Sequence, residues 1–481
     1  MSTTFYFYDL ETTGFSPREA RIMQFGGQRT DLRLKPLGKP HNTLIKLTED
    51  VLPDPDAVLL TGITPQKTLA DGITEAEFLQ LFTTEIAIPE TIFVGFNSVR
   101  FDDEFMRFLH YRNFYDAYEW HWSDHRSRWD LLDVVRMTRA LRPDGIKWPV
   151  DSNGKATNRL ELLTSLNSLD HAHAHDALSD VQACIALAQL LQSKQPDLFT
   201  YLLEHRDKNA VKKLVNSNQA FVYTSGKYSG EYEKTTAVIA VCEHPKRGGA
   251  VVYDLRQDPT ESLKLTPEAL AKWWRHHCGE YPCPHPRIPL KTLQFNRCPA
   301  VAPLGVLREE DQKRLQLPLE TISKHAKQLQ AHPEFCEAVT KAVELLDKQQ
   351  QLKFLQDELD ADVRLYDHFI GNQDKVKMRE VQQANETALA TLVPTFTDGR
   401  LNSLWPLYKA RNFPTTLTDE ERGQWESFRH RKLVGGKGES RAAHYFERLA
   451  ALDKRPDLTG EQRYLLEELQ LYGQSVLPLT D

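Results

Sequence analysis

Cysteine is sparse in this chain. Six residues in 481 (Cys184, Cys242, Cys278, Cys283, Cys298 and Cys336) are scattered without a tight spacing. A disulfide-stapled secreted fold is thereby excluded, and a reducing, cytoplasmic setting is expected. Long apolar runs are also missing: none approaches the roughly 18 residues of a membrane-spanning helix. The start, Met1-Ser-Thr-Thr, lacks the basic and apolar regions of a secretory signal. There is no fixed-period repeat, which excludes a solenoid. Nor is there an excess of positive charge. The 60 basic against 67 acidic side chains leave a net −7, which excludes a uniformly basic nucleic-acid coat but not a local basic groove. What remains, 40% hydrophobic and 26% charged residues, is the balance of a folded soluble protein. At roughly 150 residues per domain, the length predicts about three domains.

The texture of the chain changes twice. Residues 1–195 alternate strand and helix patterns. Thr4-Phe-Tyr-Phe-Tyr8 and Glu90-Thr-Ile-Phe-Val-Gly-Phe96 read as strands, while Phe101–Arg112 and the alanine- and leucine-rich Asp176–Leu191 read as helices. On helical spacing, Phe101, Phe105, Phe108 and Leu109 share one side of the first of these. An α/β domain with a mixed sheet is expected. Residues 196–349 carry β-branched runs between glycine-containing turns, such as Thr236-Ala-Val-Ile-Ala-Val241 and Gly249-Ala-Val-Val-Tyr-Asp254, predicting a small β-rich domain with flanking helices. Residues 350–481 are helical in pattern, with charge-laced segments at Asp374–Leu392, Asp419–Leu433 and Gly460–Tyr472.

Three short segments carry the chemistry. Asp9-Leu-Glu11-Thr-Thr-Gly14 closes the first strand. Residues two apart on a strand face the same way, so Asp9 and Glu11 present adjacent carboxylates, which are unfavourable together unless a cation or a shared proton relieves them. Gly95-Phe-Asn-Ser-Val-Arg-Phe-Asp102-Asp103 passes from strand to helix; taken alone, Asp102 there reads first as a capping or first-turn acid favoured by the helix dipole. His175-Asp-Ala-Leu-Ser-Asp180 opens a helix, and His175 and Asp180 could converge on one site. Four carboxylates with a histidine suit a hard cation such as Mg²⁺ or Mn²⁺ rather than zinc. Two such ions support phosphoryl displacement, and a histidine can take a proton from water near neutrality.

These segments resemble the three motifs of the DEDDh exonucleases. The resemblance extends along nearly the whole chain to the bacterial exonuclease I family, through Ser127-Arg-Trp-Asp-Leu-Leu-Asp133, Ala140-Leu-Arg-Pro-Asp-Gly-Ile146, Asn158-Arg-Leu-Glu-Leu-Leu163, Arg297-Cys-Pro299, Leu365-Tyr366 and Ala410-Arg-Asn-Phe-Pro414. It implies an α/β ribonuclease-H-like exonuclease domain, a small Src-homology-3-like barrel domain and an all-α C-terminal domain. It further implies Asp9, Glu11, Asp102 and Asp180 as ligands of two Mg²⁺ ions (Mn²⁺ substituting), His175 as general base, and Arg159 on the terminal phosphate, with Glu11 also touching substrate. The implied activity is processive 3′→5′ digestion of single-stranded DNA to 5′-mononucleotides, by a monomer acting in repair and recombination. An exoribonuclease of the same superfamily and a non-catalytic single-strand-binding adaptor are the competing readings.

A single strand needs cations for its phosphates and aromatic faces for its bases. Arg107, Trp122 and Arg136 are the substrate contacts that the resemblance favours, with Tyr366 and Phe369 closing over the strand. Arg136, Arg139 and Arg142 recur at helical spacing, a pattern that a solvated basic face would also produce. The family also binds the C-terminal tail of single-stranded DNA-binding protein (SSB), for which Arg142, Tyr201 and Arg314 are candidates. His276, Cys278, Cys283 and His285 cluster in sequence, but without a usual zinc spacing. Cys184, inside an apolar helix, is expected to be packed.

Overall fold

A computed structural model describes residues 2–169, 176–275, 288–354, 360–435 and 440–477. The chain forms two compact units, each assembled from separated stretches. The first comprises Met1–Ser127, His171–Gln182 and Leu359–Asp481; the second comprises Arg128–Asp170 and Ala183–Glu358.

In the first unit, β1 (Thr4–Thr12), β2 (Ile22–Thr30), β3 (Pro36–Leu44) and β4 (Thr91–Gly95) lie in the order β3-β2-β1-β4. β2 runs antiparallel to both β1 and β3, and β4 runs parallel to β1, so the sheet is mixed as expected. β1 is buried almost throughout because its aromatic residues pack on both faces. Tyr6, Tyr8, Phe25, Phe78, Phe82, Phe93, Phe105 and Trp120 form one aromatic core. The chain leaves this unit through the short strand β5 (Ser127–Asp130).

The Asp102–Arg112 helix confirms the expected span within a residue. Its apolar side chains do not share a single core, however. Phe105 and Leu109 join the sheet core, while Phe108 joins a second cluster with Leu365, Leu401, Trp405 and Tyr408 from the C-terminal helices. The helix is buried on two sides, which sequence spacing alone does not distinguish from one broad face. The helix beginning at Ala177 runs to Lys194 and stops before Pro196, which opens the next helix. Cys184 is packed within it.

The second unit holds an antiparallel sheet of β6 (Phe221–Thr224), β7 (Thr235–Glu243), β8 (Gly249–Asp254), β9 (Leu290–Gln294) and β10 (Ala300–Pro303), in the order β10-β6-β7-β8-β9. Val238, Val252, Leu293 and Val301 close its core. This is the small β-rich domain that the β-branched runs predict. Of the expected later helices, Asp419–Leu433 is one helix with those bounds and the one from Gly460 runs on to Val476, whereas the 374–392 stretch is broken. Leu319–Gln330 and Pro333–Phe354 are separate helices, as are Asn372–Gln383 and Glu386–Thr391. Pro333 takes the first position of its helix, where its missing N–H costs nothing. Among the described residues no helix is long and apolar enough to cross a membrane.

Candidate active site

Asp9 and Glu11 project from the end of β1, and Asp180 from the first turn of the Ala177–Lys194 helix. Each offers one carboxylate oxygen, and the three oxygens lie within 4.8 Å of one another. Asp102 opens its helix at 3% exposure, outside this triplet but close enough for its charge to act on Asp9. Burial is the largest influence on Asp9, followed by Asp102, Glu11, Asp180 and Asp176; together they hold its carboxyl well above the usual range. Burial, Asp180 and Asp176 push Glu11 up to about 8. Crowded carboxylates of this kind are relieved by a hard divalent cation, and an all-oxygen donor set fits one. His175 and the His276, Cys278, Cys283 and His285 cluster lie outside the described residues.

The strand end is fixed locally. Thr12 Oγ1 donates to the Gly14 carbonyl (2.9 Å), and the Thr13 amide donates to the Arg21 carbonyl (2.9 Å). Beyond this turn a cleft of about 620 Å³ opens, lined in part by Gly14, Phe15, Asp54, Arg441 and His444. The Phe15 ring is highly exposed and meets Phe101 edge-on, at 6.5 Å between centroids. Phe15 carries no periodic signal and escapes sequence reasoning. Its position four residues after Glu11 is the only cue.

The expected substrate contacts separate into groups. Arg107, Tyr366 and Phe369 belong to one cluster. Arg107 Nη1 donates to Glu104 (2.6 Å), and its guanidinium lies over the Tyr118 ring. Tyr366 donates to Glu104 and packs edge-on against Phe108; Phe369 packs against Tyr118. Tyr366 and Phe369 remain 46% and 83% exposed, and Trp122 is 59% exposed. Large aromatic faces left in water are the feature that base stacking needs.

The arginine row is less uniform than its spacing predicts. In the second unit Arg136 pairs with Asp133 at 2.7 Å. Arg139 is buried, donating to the Pro149 and Thr157 carbonyls and pairing with Glu233; it ties local structure together rather than offering a solvated face. Arg142 follows the helix Leu131–Leu141 as its cap residue. It meets Asp311 at 3.3 Å, and Arg314 meets the same carboxylate at 3.0 Å. The Tyr201 ring stacks on His205, with its hydroxyl buried and without a hydrogen-bond partner among the described residues. Arg159 is exposed at the start of the Leu160–Leu166 helix.

A mixed sheet with a carboxylate triplet at the end of its first strand defines a ribonuclease-H-like exonuclease. The Exonuclease family model matches residues 6–188, the Exonuclease I SH3-like domain model residues 206–344, and the Exonuclease I C-terminal domain model residues 359–476. The chain belongs to the exodeoxyribonuclease I family. It is 38% identical over 438 residues to exodeoxyribonuclease I of Escherichia coli strain K12, covering 90% of each chain. The solved E. coli exonuclease I with a dA16 oligonucleotide superposes with a TM-score of 0.92 at 35% identity, over 99% of this chain and all of that one. A solved SSB/exonuclease I structure with an inhibitor superposes with a TM-score of 0.89 at 34% identity, with the same coverage. Exodeoxyribonuclease activity follows from that membership.

Proposed function

We propose that this chain hydrolyses single-stranded DNA from its 3′ end, processively and with Mg²⁺, releasing 5′-mononucleotides in repair and recombination. The observation that carries the reading is the triplet of Asp9, Glu11 and Asp180, whose oxygens lie within 4.8 Å on a family fold. These three, with Asp102, would hold the metal. Bound divalent ions would supply charge for the attacking and leaving oxygens of the phosphodiester. His175 would take the proton of the attacking water. Arg159 would hold the terminal phosphate, and Glu11 would also meet the terminal nucleotide. Arg107 and Arg136 would hold phosphates further along the strand, while Trp122, Tyr366 and Phe369 offer faces to the bases. The relative bound to dA16 supports the single-stranded substrate.

A tail of SSB is the proposed partner. Arg142 and Arg314 share the carboxylate of Asp311, and the charges of Arg308 and Asp144 also act on Arg142, leaving three cations against two carboxylates. The surplus of positive charge suits a terminal carboxylate, and Tyr201 would supply apolar contact.

The test is digestion of end-labelled single-stranded DNA, duplex DNA and RNA, with Mg²⁺ or EDTA. The wild type is expected to release mononucleotides from single-stranded DNA only with metal. Asp9→Ala and Asp180→Ala are expected to abolish release while the circular dichroism stays native. Release that survives EDTA would overturn the metal reading, and release from RNA alone would favour the exoribonuclease.

A further inference from the structure

Gln24 and Gly26 lie on β2 directly opposite Glu11 and Asp9. Opposed residues of an antiparallel pair share a face, as do residues two apart on a strand. Gln24, Gly26, Asp9 and Glu11 therefore all face the same way, toward the start of the helix that bears Asp180.

Two contacts join this face to that helix. The first is a notch. A Cβ at Gly26 would stand 2.4 Å from the Ala177 carbonyl carbon and 2.5 Å from the Leu178 amide nitrogen. Both are backbone atoms, so no rotamer change could relieve the overlap. The second is a clamp. Gln24 Nε2 donates to Asp176 Oδ2 (2.9 Å) and to Asn42 Oδ1 (2.8 Å), while Gln24 Oε1 accepts from the Ala177 amide (3.2 Å). Asp176 Oδ1 in turn accepts from the Ser179 amide (3.0 Å), closing the helix's first turn. Gln24 is 5% exposed, and its carboxamide both donates to Asp176 and accepts from the neighbouring amide, which an aliphatic side chain of similar size cannot do.

We infer that Gln24 and Gly26 are positioning residues that set the distance between Asp180 and the strand carboxylates, and thereby the affinity of the site for its divalent ion. The inference rests on the metal reading proposed above. A ligand cage of three carboxylates tolerates little displacement, and partners one step behind metal ligands typically govern about 10–100-fold in affinity.

The experiment is Mn²⁺ binding to the full-length protein, by calorimetry and electron paramagnetic resonance, for the wild type, Gln24→Leu, Gly26→Ala and Asp180→Ala. Circular dichroism and single-strand affinity in EDTA are measured alongside. Gln24→Leu and Gly26→Ala are expected to weaken Mn²⁺ binding about 10–100-fold, with single-strand affinity in EDTA unchanged. Either variant that is folded and binds Mn²⁺ as tightly as the wild type would overturn the inference. Should Gly26→Ala not fold, Gln24→Leu, which loses polar contacts without adding bulk to the notch, decides the matter. A wild type that binds no Mn²⁺ would instead overturn the metal reading, a distinguishable outcome.

Discussion

Phe369 and Tyr366 show how differently two aromatic side chains can be held at one surface. Tyr366 is anchored through its hydroxyl to Glu104 and through its ring edge to Phe108. Phe369 touches Tyr118 and is otherwise open. Base–aromatic stacking is worth about 1–3 kcal/mol per base. Phe369→Ala is therefore expected to weaken binding of single-stranded DNA by about 5–150-fold, with little effect on thermal stability. Fluorescence anisotropy of a labelled oligonucleotide in EDTA reads the first, and calorimetry the second. Unchanged affinity would remove Phe369 from the strand's path. The acids of the site were legible in the sequence because their spacing on a strand, and at two helix starts, is itself chemical information. Gln24 and Gly26 were not legible, since an unremarkable glutamine and glycine in a strand acquire meaning only when a helix is laid against them.

The elements of the first unit are joined by buried charge. Arg21, after β1, meets Asp362 at 3.1 Å; Arg411 meets Asp50 at 2.7 Å and Asp362 at 2.9 Å; Lys432 meets Asp50 at 2.6 Å. Arg112 adds Glu75 at 2.8 Å. Burial pulls the Asp362 carboxyl upward, but Lys432, Arg411 and Arg21 outweigh it and hold it far below the usual range. Asp50 behaves in the same way. A carboxyl depressed in the folded state contributes stability above its unfolded pKa, about 3.9, and that contribution is lost as pH falls through the folded value. Asp362→Asn is expected to cost about 3–5 kcal/mol at neutral pH, because it strands buried cations. The cost should shrink in acid, below about pH 4, where the wild-type carboxylates begin to lose the advantage. Urea unfolding at pH 7 and pH 3 measures both; an equal cost at the two values would refute the linkage. None of these pairings was foreseen, because they join residues from 37 to 382 positions apart.

At the scale of the whole chain, the C-terminal helices are part of the unit that carries the acids. The helical texture after residue 350 was correctly legible, since amphipathic periodicity is local. Its association with the first 127 residues was not, because it depends on Arg411, Lys432 and Asp362 meeting Arg21 and Asp50. A chain ended near Lys348 would leave Arg21, Asp50 and the Phe108 cluster exposed. It is expected to be unfolded or strongly destabilised, rather than a nuclease with shortened runs. Near-ultraviolet circular dichroism of the shortened chain checks this, and a native spectrum would contradict it. Processivity is therefore better tested by single substitutions such as Phe369→Ala than by truncation.

The sequence by itself determined the acidic motifs and the order of the structural classes. Strand alternation, helical periodicity and the spacing of four acids are written within short stretches, and short-range geometry follows from them. Only the tertiary structure decided which carboxylates stand within 4.8 Å, that Asp102 lies outside the triplet, and that Arg139 serves local packing rather than a solvated face. It alone decided that the Asp180 helix rests in a notch at Gly26. The reason is physical: distances between segments far apart in the chain are set by close packing and by pairing of buried charge, and neither is encoded at any one position.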